Sequence, residues 1–272
     1  PQEDAMQWND EAAEAMGRVP FFVRKRVRKR VEEEAKSQGA KVVTMAHVNA
    51  CQQRFMHNQE AEVRGYQIES CFGSGGCPNR IETGMDLAAA LEQELAGRDL
   101  KNFLKTRVGG PLKLHHEFRI TIAECPNSCS RPQIVDVGLI AARRPQLTTT
   151  PCSGCGSCVA ACQEKALSLE TDAPAIDFAR CLACGHCITA CPTGTLASGA
   201  TGYRLLVGGK LGRHPQLGQE LPGIYNPEAT LAIVRQCVDH FMAHTTRGER
   251  FGEIIIRTGL DFLAPLLEPG RL

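Results

Sequence analysis

Eight of the chain's fourteen cysteines fall into two runs of one pattern. Cys152, Cys155, Cys158 and Cys162 follow C-x2-C-x2-C-x3-C, and Cys181, Cys184, Cys187 and Cys191 repeat it. Thiolates so spaced close three at a time around one face of an iron–sulfide cube, while the fourth reaches a second cube. The expected sets are therefore Cys152, Cys155 and Cys158 with Cys191, and Cys181, Cys184 and Cys187 with Cys162. Small residues between them (Ser153, Gly154, Gly156, Ala183, Gly185) let backbone amides approach the sulfurs. A zinc site takes four ligands, usually as two separated pairs, and does not account for two matching runs of four. Cys71-x5-Cys77 and Cys125-x3-Cys129 form a second constellation. Cys51 and Cys237 fit no pattern and read as small buried apolar residues.

The remaining composition narrows the setting. With 31 basic and 30 acidic side chains in 272 residues, no global charge points to nucleic acid or an anionic membrane. No apolar run approaches the roughly 18 residues that span a bilayer, and no secretory leader pattern is present. A reducing cytoplasm is the expected location, and there clustered thiols favour metal over disulfides.

The elements that position the thiols follow from periodicity and punctuation. Asn9 or Asp10 caps a short helix through Met16, and Pro20 opens a second that runs to Gln38 and stops at Gly39. Lys41–Thr44 is a short strand or extended link, and Thr44 caps a third helix through about Met56. Val63–Glu69 is a predicted strand that leads into a glycine-rich loop, Cys71–Pro78. Met85–Leu95 carries helical spacing, Phe118–Ala123 alternates as a strand, and Ile134–Ala141 is apolar enough for a buried one. After the cysteine-rich module, residues 203–208 return to strand character. Pro227–His244 and Gly248–Leu263 carry the apolar stripes of helices. A module bounded on both sides by strands reads as an insertion into a larger domain.

The segments SCFGSGGCPNR and FRITIAECPNSCSRPQIVDVGLIA resemble the sirohaem-containing sulfite and nitrite reductase family. The likeness covers roughly residues 62–266 and includes YRLLVGGKLGRHPQLGQEL and GERFGEIIIRTG. A ferredoxin-type module after this motif is similar to that of dissimilatory and anaerobic sulfite reductase subunits. Pro192 follows the last cysteine as the ferredoxin pattern expects, with Gln163 at the matching place. The resemblance implies a third [4Fe–4S] cluster on Cys71, Cys77, Cys125 and Cys129, with Cys129 bridging to a sirohaem iron. It also implies Arg119, Lys210 and Arg213 as cations that meet an oxyanion substrate. Two positions depart from the family: Glu124 stands where a small residue is usual, and Glu117 and Arg119 stand where two lysines are usual. Residues 8–51 are similar to the C-terminal domain of the B subunit of dark-operative protochlorophyllide reductase. Within them Arg24–Arg30 holds six cations in seven residues. That run is either a solvated helix face with pairs such as Arg28–Glu32, or a docking surface, with Arg24 and Arg28 toward sirohaem carboxylates, or toward an acidic partner.

The expected fold is α+β: a sulfite reductase-like α/β half-domain with an inserted bacterial ferredoxin-like module and a small N-terminal helical domain. Expected boundaries are 1–58, 59–150, 151–200 and 201–272, the second and last being two parts of one domain. Two functional readings follow. In the first, three [4Fe–4S] clusters feed a sirohaem that reduces sulfite or a related oxyanion. In the second, the chain is a sirohaem-free electron-transfer subunit that serves a partner enzyme. A redox partner or other subunits are expected in both, and a homo- or hetero-oligomer can supply a missing part of the pocket.

Overall fold

The computed structural model describes residues 6–169 and 173–267. The chain divides into two units, residues 1–63 with 110–114, and residues 64–109 with 115–272.

In the first unit β1 (Gln7–Trp8) precedes α1 (Asp10–Gly17) and α2 (Phe21–Ser37); β2 (Val42–Val43) then leads to α3 (Met45–Glu62). Asn9 caps α1 by accepting from the Ala12 amide at 3.0 Å. His47 Nδ1 accepts from the Thr44 amide at the start of α3. Ala12, Met16, Val31, Ala35 and Val43 form the core. The third helix runs past the expected Met56 to Glu62, because neither Gly nor Pro interrupts it before Gly65.

The second unit opens with β3 (Tyr66–Ser70), α4 (Leu87–Ala96), α5 (Leu100–Arg107), β4 (Phe118–Ala123) and β5 (Val137–Leu147). The cysteine-rich insert contributes α6 (Ser157–Ala161), β6 (Leu167–Leu169), β7 (Pro174–Ile176) and α7 (His186–Ala190). The unit ends with β8 (Leu196–Val207), β9 (Gln219–Glu220), α8 (Pro227–His244) and α9 (Phe251–Thr258). One five-stranded sheet in the order β3-β4-β5-β8-β9 organises it, and helices cover its apolar side chains, so the architecture is α+β. β3, β4 and β5 are mutually parallel, and β8 and β9 join antiparallel. Phe118 of β4 lies 5.2 Å, ring to ring, from both Phe241 of α8 and Phe251 of α9. Leu91, Leu95, Leu100 and Leu104 of α4 and α5 are also buried, each such side chain contributing about 1.5–3 kcal/mol.

Further elements differ from expectation. β5 ends at Leu147, six residues beyond the outer end of the expected Ile134–Ala141. α5 was not anticipated; it is one short helix whose Leu100 and Leu104, four apart, are both buried. The expected strand 203–208 is the end of a twelve-residue β8. Its first half, Ala-Ser-Gly-Ala-Thr-Gly, has turn composition, and pairing with β5 extends it. The expected helix 248–263 breaks at Gly259, where φ is +75°, and a short 3-10 turn follows over Asp261–Leu266.

The β5–β8 pairing sets the position of the insert. β4 covers only Val137–Ile140 of β5, whereas β8 stays paired from Val137↔Val207 out to Leu147↔Leu196. The outer part of this pair therefore projects beyond β4 as a two-stranded ribbon, and residues 148–195 are carried at its tip.

Helix α4 is tied to α8 by charge. Glu94 accepts from Arg98 at 2.8 Å and from Arg235 at 2.7 Å, and Arg98 also pairs with Asp239. Arg235, then Arg98, holds the Glu94 carboxyl down to about 2. A carboxylate depressed by folding stabilises above the ordinary carboxylate range and loses that contribution as pH falls through its folded value. Glu94→Gln is therefore expected to cost about 1 kcal/mol at neutral pH. In urea unfolding, the gap from the parent should narrow as pH falls below about 4; a gap independent of pH would contradict this.

Candidate iron–sulfur and oxyanion site

The parallel neighbours β3 and β4 deliver the first thiol group. Cys71 follows the last residue of β3, and its amide still bonds Ile122 O of β4 at 3.0 Å. A 3-10 turn over Phe72–Gly75, closed by Gly76 at φ +99°, brings Cys77 back. Cys125 leaves β4 two residues beyond its end, and Ser128 at φ +53° turns the chain to Cys129. All four thus gather at the carboxyl end of parallel strands, where open α/β sheets place their ligands. Burial pushes the Cys125 thiol up, and the charges of Cys71, Cys77 and Cys129 push it further. Cys129 is exposed. The Glu124 amide donates to Cys71 Sγ at 3.3 Å.

The insert brings together two more groups, each drawing on both runs. At Cys158, which burial raises, the added charges are those of Cys191 and Cys152. Burial pushes Cys187 up to about 11, with Cys184, Cys181 and Cys162 adding to the effect. Cys155 is exposed on the first loop. The two halves are structural repeats: Gly156 and Gly185 enter α6 and α7 at φ +69° and +74°. Their amides also match. Gly154 N donates to Cys152 Sγ and Ala183 N to Cys181 Sγ, both at 3.4 Å. Ala166 N donates to Cys162 Sγ at 3.2 Å and Leu196 N to Cys191 Sγ at 3.5 Å. The Leu196 amide leads in lowering the Cys191 thiol to about 7. Such N–H···S contacts suit thiolates that ligate a cluster. Among the described residues no three His, Cys, Asp or Glu side chains close on a point as one metal ion requires. One cavity is lined both by Cys125, Pro126 and Asn127 and by Cys162, Cys181, Cys184 and Cys187. The second insert group therefore neighbours the sheet-end group.

The flanking charges have individual fates. Glu124 lies over the turn between Cys71 and Cys77, where a Cβ on Gly73 would come 2.3 Å from its Oε2. Arg80 Nε sits 2.6 Å from the same oxygen and offsets its charge. Glu117 is buried and accepts from the Arg64 and Gly65 amides at 2.7 and 3.2 Å, so it anchors the chain entering β3. Arg119, beside Gln67 in the register, lines a cavity with Arg131, Ser130, Glu69 and Leu211. Its amide donates to buried Asp136, which also takes Arg250 at 2.7 Å. Burial pushes the Asp136 carboxyl up against the pull of Arg250.

Lys210 is buried and paired with Glu253 at 2.7 Å. Arg213 is exposed on the hairpin closed by Lys210 and Gln216. The proposed substrate cations are thus not gathered alike: Arg119 lines the cavity, Lys210 is neutralised and Arg213 is at a tip. In the N-terminal unit Arg24 donates to Gly17 O and Val19 O, and Arg28 lies 5.0 Å over the Trp8 ring with Nε 3.2 Å from Glu32. Cys237 is fully buried, its thiol raised by burial alone, and Cys51 packs against the small N-terminal core. Sequence reasoning missed Arg80, Arg131 and Asp136. Arg131 alone carried a signal, two residues after Cys129.

Thiols gathered at a strand end and on a ribbon insert are the donor set of an iron–sulfur protein. The chain belongs to the nitrite and sulphite reductase 4Fe-4S domain family, which it matches over residues 64–269. Residues 8–52 match the proto-chlorophyllide reductase 57 kD subunit family. A coenzyme F420-dependent sulfite reductase of Methanocaldococcus jannaschii is 33% identical over 144 residues, 53% of this chain and 21% of that protein. One subunit of the anaerobic sulfite reductase of Salmonella typhimurium is 35% identical over 52 residues, 19% of this chain and 15% of that protein. One subunit of the light-independent protochlorophyllide reductase of Chlorobium limicola is 54% identical over 41 residues, 15% of this chain and 8% of that protein. The chain thus spans about a fifth or less of the length of these relatives. No helix among the described residues is long and apolar enough to cross a membrane.

Replacing Glu117 with alanine leaves the buried Gly65 amide and the half-buried Arg64 amide without their acceptor. The expected cost is about 2 kcal/mol, with iron content per folded chain unchanged. Urea midpoints with an iron assay check this, and loss of iron at unchanged stability would give Glu117 a different role.

Proposed function

We propose that the chain is a sulfite reductase-type oxidoreductase subunit that holds three [4Fe–4S] clusters and, beside Cys129, a sirohaem. The observation that carries this reading is the cavity shared by Cys125 and the Cys162/Cys181/Cys184/Cys187 group. It sets the insert next to the sheet-end thiols, as single-electron supply to one centre requires. When bound, the clusters relay electrons singly and the sirohaem iron offers an open position for a sulfur or nitrogen oxyanion.

The chain's own residues supply position and charge. Exposed Cys129 is the thiolate free to face a macrocycle, and Arg119 and Arg131 line the neighbouring cavity, where cations suit carboxylates or an oxyanion. Arg80 offsets the negative charge that Glu124 adds beside the sheet-end thiols. Lys210 reaches a substrate only by leaving Glu253, and Arg213 only by folding in from its tip. Arg24 and Arg28 bind within their own unit, which favours a structural role for the basic run.

The Lys210–Glu253 pair and the conversion of Glu117 to a backbone anchor favour a second reading, a sirohaem-free subunit that wires a partner enzyme. In both readings further subunits, or further parts of the same enzyme, complete the reaction in a reducing cytoplasm.

Anaerobic purification followed by metal analysis and an absorption spectrum tests these readings. Three cubanes give about 12 iron per chain, and sirohaem raises this to about 13 with a Soret and an α band. Turnover of sulfite with reduced viologen then tests the substrate. Broad absorption near 400 nm with about 12 iron selects the second reading, and colourless protein free of acid-labile sulfide overturns both. Cys191→Ala is expected to remove about four of the irons, those held with Cys152, Cys155 and Cys158.

A further inference from the structure

We propose that Arg143 is a positioning residue that makes the Cys162/Cys181/Cys184/Cys187 site more easily reduced than its sequence twin. The proposal rests on the reading that both sites hold [4Fe–4S] clusters.

Arg143 stands on β5 where the ribbon breaks register, its pairing with β8 shifting between Arg143 and Pro145. The irregularity turns its backbone toward the second cysteine loop. Its amide donates to Ala183 O at 2.6 Å, and it forms a bridge with Cys184. The guanidinium follows, donating to Thr189 Oγ1 at 3.1 Å and to Gly185 O at 3.5 Å. Gly185 makes room for it: a Cβ there would lie 2.5 Å from Arg143 Nε, at a φ that side chains rarely adopt.

Two features set this arginine apart from an ordinary surface cation. Its Nε is buried without a hydrogen-bond partner. No carboxylate forms an ion pair with it among the described residues. Arg143 as a whole is half-buried; a buried donor without a partner is costly, and a cation without an ion-pair partner is favoured by an anion beside it. A thiolate-ligated cluster in the Cys181–Cys187 loop answers both needs. The same cation favours the added electron of the one-electron couple, [4Fe–4S]2+ to [4Fe–4S]1+, because net charge and hydrogen bonding set cluster potentials.

The repeat provides an internal control. Backbone donors to sulfur are matched between the halves, Gly154 with Ala183 and Leu196 with Ala166. The first site adds neutral donors: Thr193 at 3.6 Å from Cys191 Sγ, and Ser157 and Ser153 at Cys155. Gly156, the counterpart of Gly185, has the same backbone turn, yet a Cβ there would meet nothing within 4 Å. At this position of the repeat the second half therefore receives a positive charge from outside it, and the first half does not. That half also shares the cavity with Cys125, so the more readily reduced site lies toward the sheet end.

The test is a dithionite titration of the whole protein followed by electron paramagnetic resonance, with iron and sulfide counted in each sample. Cys184→Ser assigns the signals, because it perturbs that site alone. In the parent the site of Cys184 is expected to have the higher potential of the two insert sites. In Arg143→Met its potential should fall toward that of the twin, whose own potential stays in place. Arg143→Lys should keep most of the separation. Loaded clusters with unmoved potentials in Arg143→Met would overturn the proposal and leave the cluster reading intact, whereas a parent without clusters would overturn the reading itself. If Arg143→Met does not load, the parent decides: coincident or inverted potentials sink the proposal.

Discussion

Thiolates gathered in fours repel one another, and holding them together is the constraint to which much of the second unit responds. Backbone amides answer it first: Glu124 N at Cys71, Gly154 N at Cys152, Ala166 N at Cys162, Ala183 N at Cys181 and Leu196 N at Cys191 each point a donor at sulfur. Burial and neighbouring thiols act in the same direction to raise the Cys125, Cys158 and Cys187 thiols. Metal ligation requires such protons to leave. Arg80 offsets Glu124, the carboxylate that lies over the turn between Cys71 and Cys77.

Position comes from the sheet. The parallel strands β3 and β4 end side by side, so two cysteine pairs distant in sequence meet without a dedicated loop architecture. β5, their parallel neighbour, overshoots them and with β8 becomes a ribbon. One strand thus belongs at its base to the host core and at its outer end to the insert. Asp136, just before β5, extends the same economy: it receives the Arg119 amide and the Arg250 side chain, tying β4 to the start of α9.

How much was legible in the sequence follows from the range of each signal. The exchange of Cys162 and Cys191 between the two runs can be read from an x3 spacing, because local geometry forces it. Phe118–Ala123 and Pro227–His244 are readable because alternation and helical stripes report burial directly. The outer ribbon is not readable: Ala197–Gly202 has turn composition and is a strand only because β5 lies beside it. The fates of Lys210 and Glu117 were equally hidden, since their partners, Glu253 and the Arg64 and Gly65 amides, lie 43 to 53 residues away. Charge type can be read from one residue; whether that charge is already satisfied depends on the tertiary fold.

The insert leaves and rejoins the host at a registered pair, Leu147 opposite Leu196. A segment whose ends already touch asks the host for little closure entropy, whatever its length. The ribbon therefore works as a socket, in which one module can be exchanged for another, or for a plain turn, while the layers beneath keep their packing. The host and the insert are separable parts, joined through two hydrogen-bonded strands.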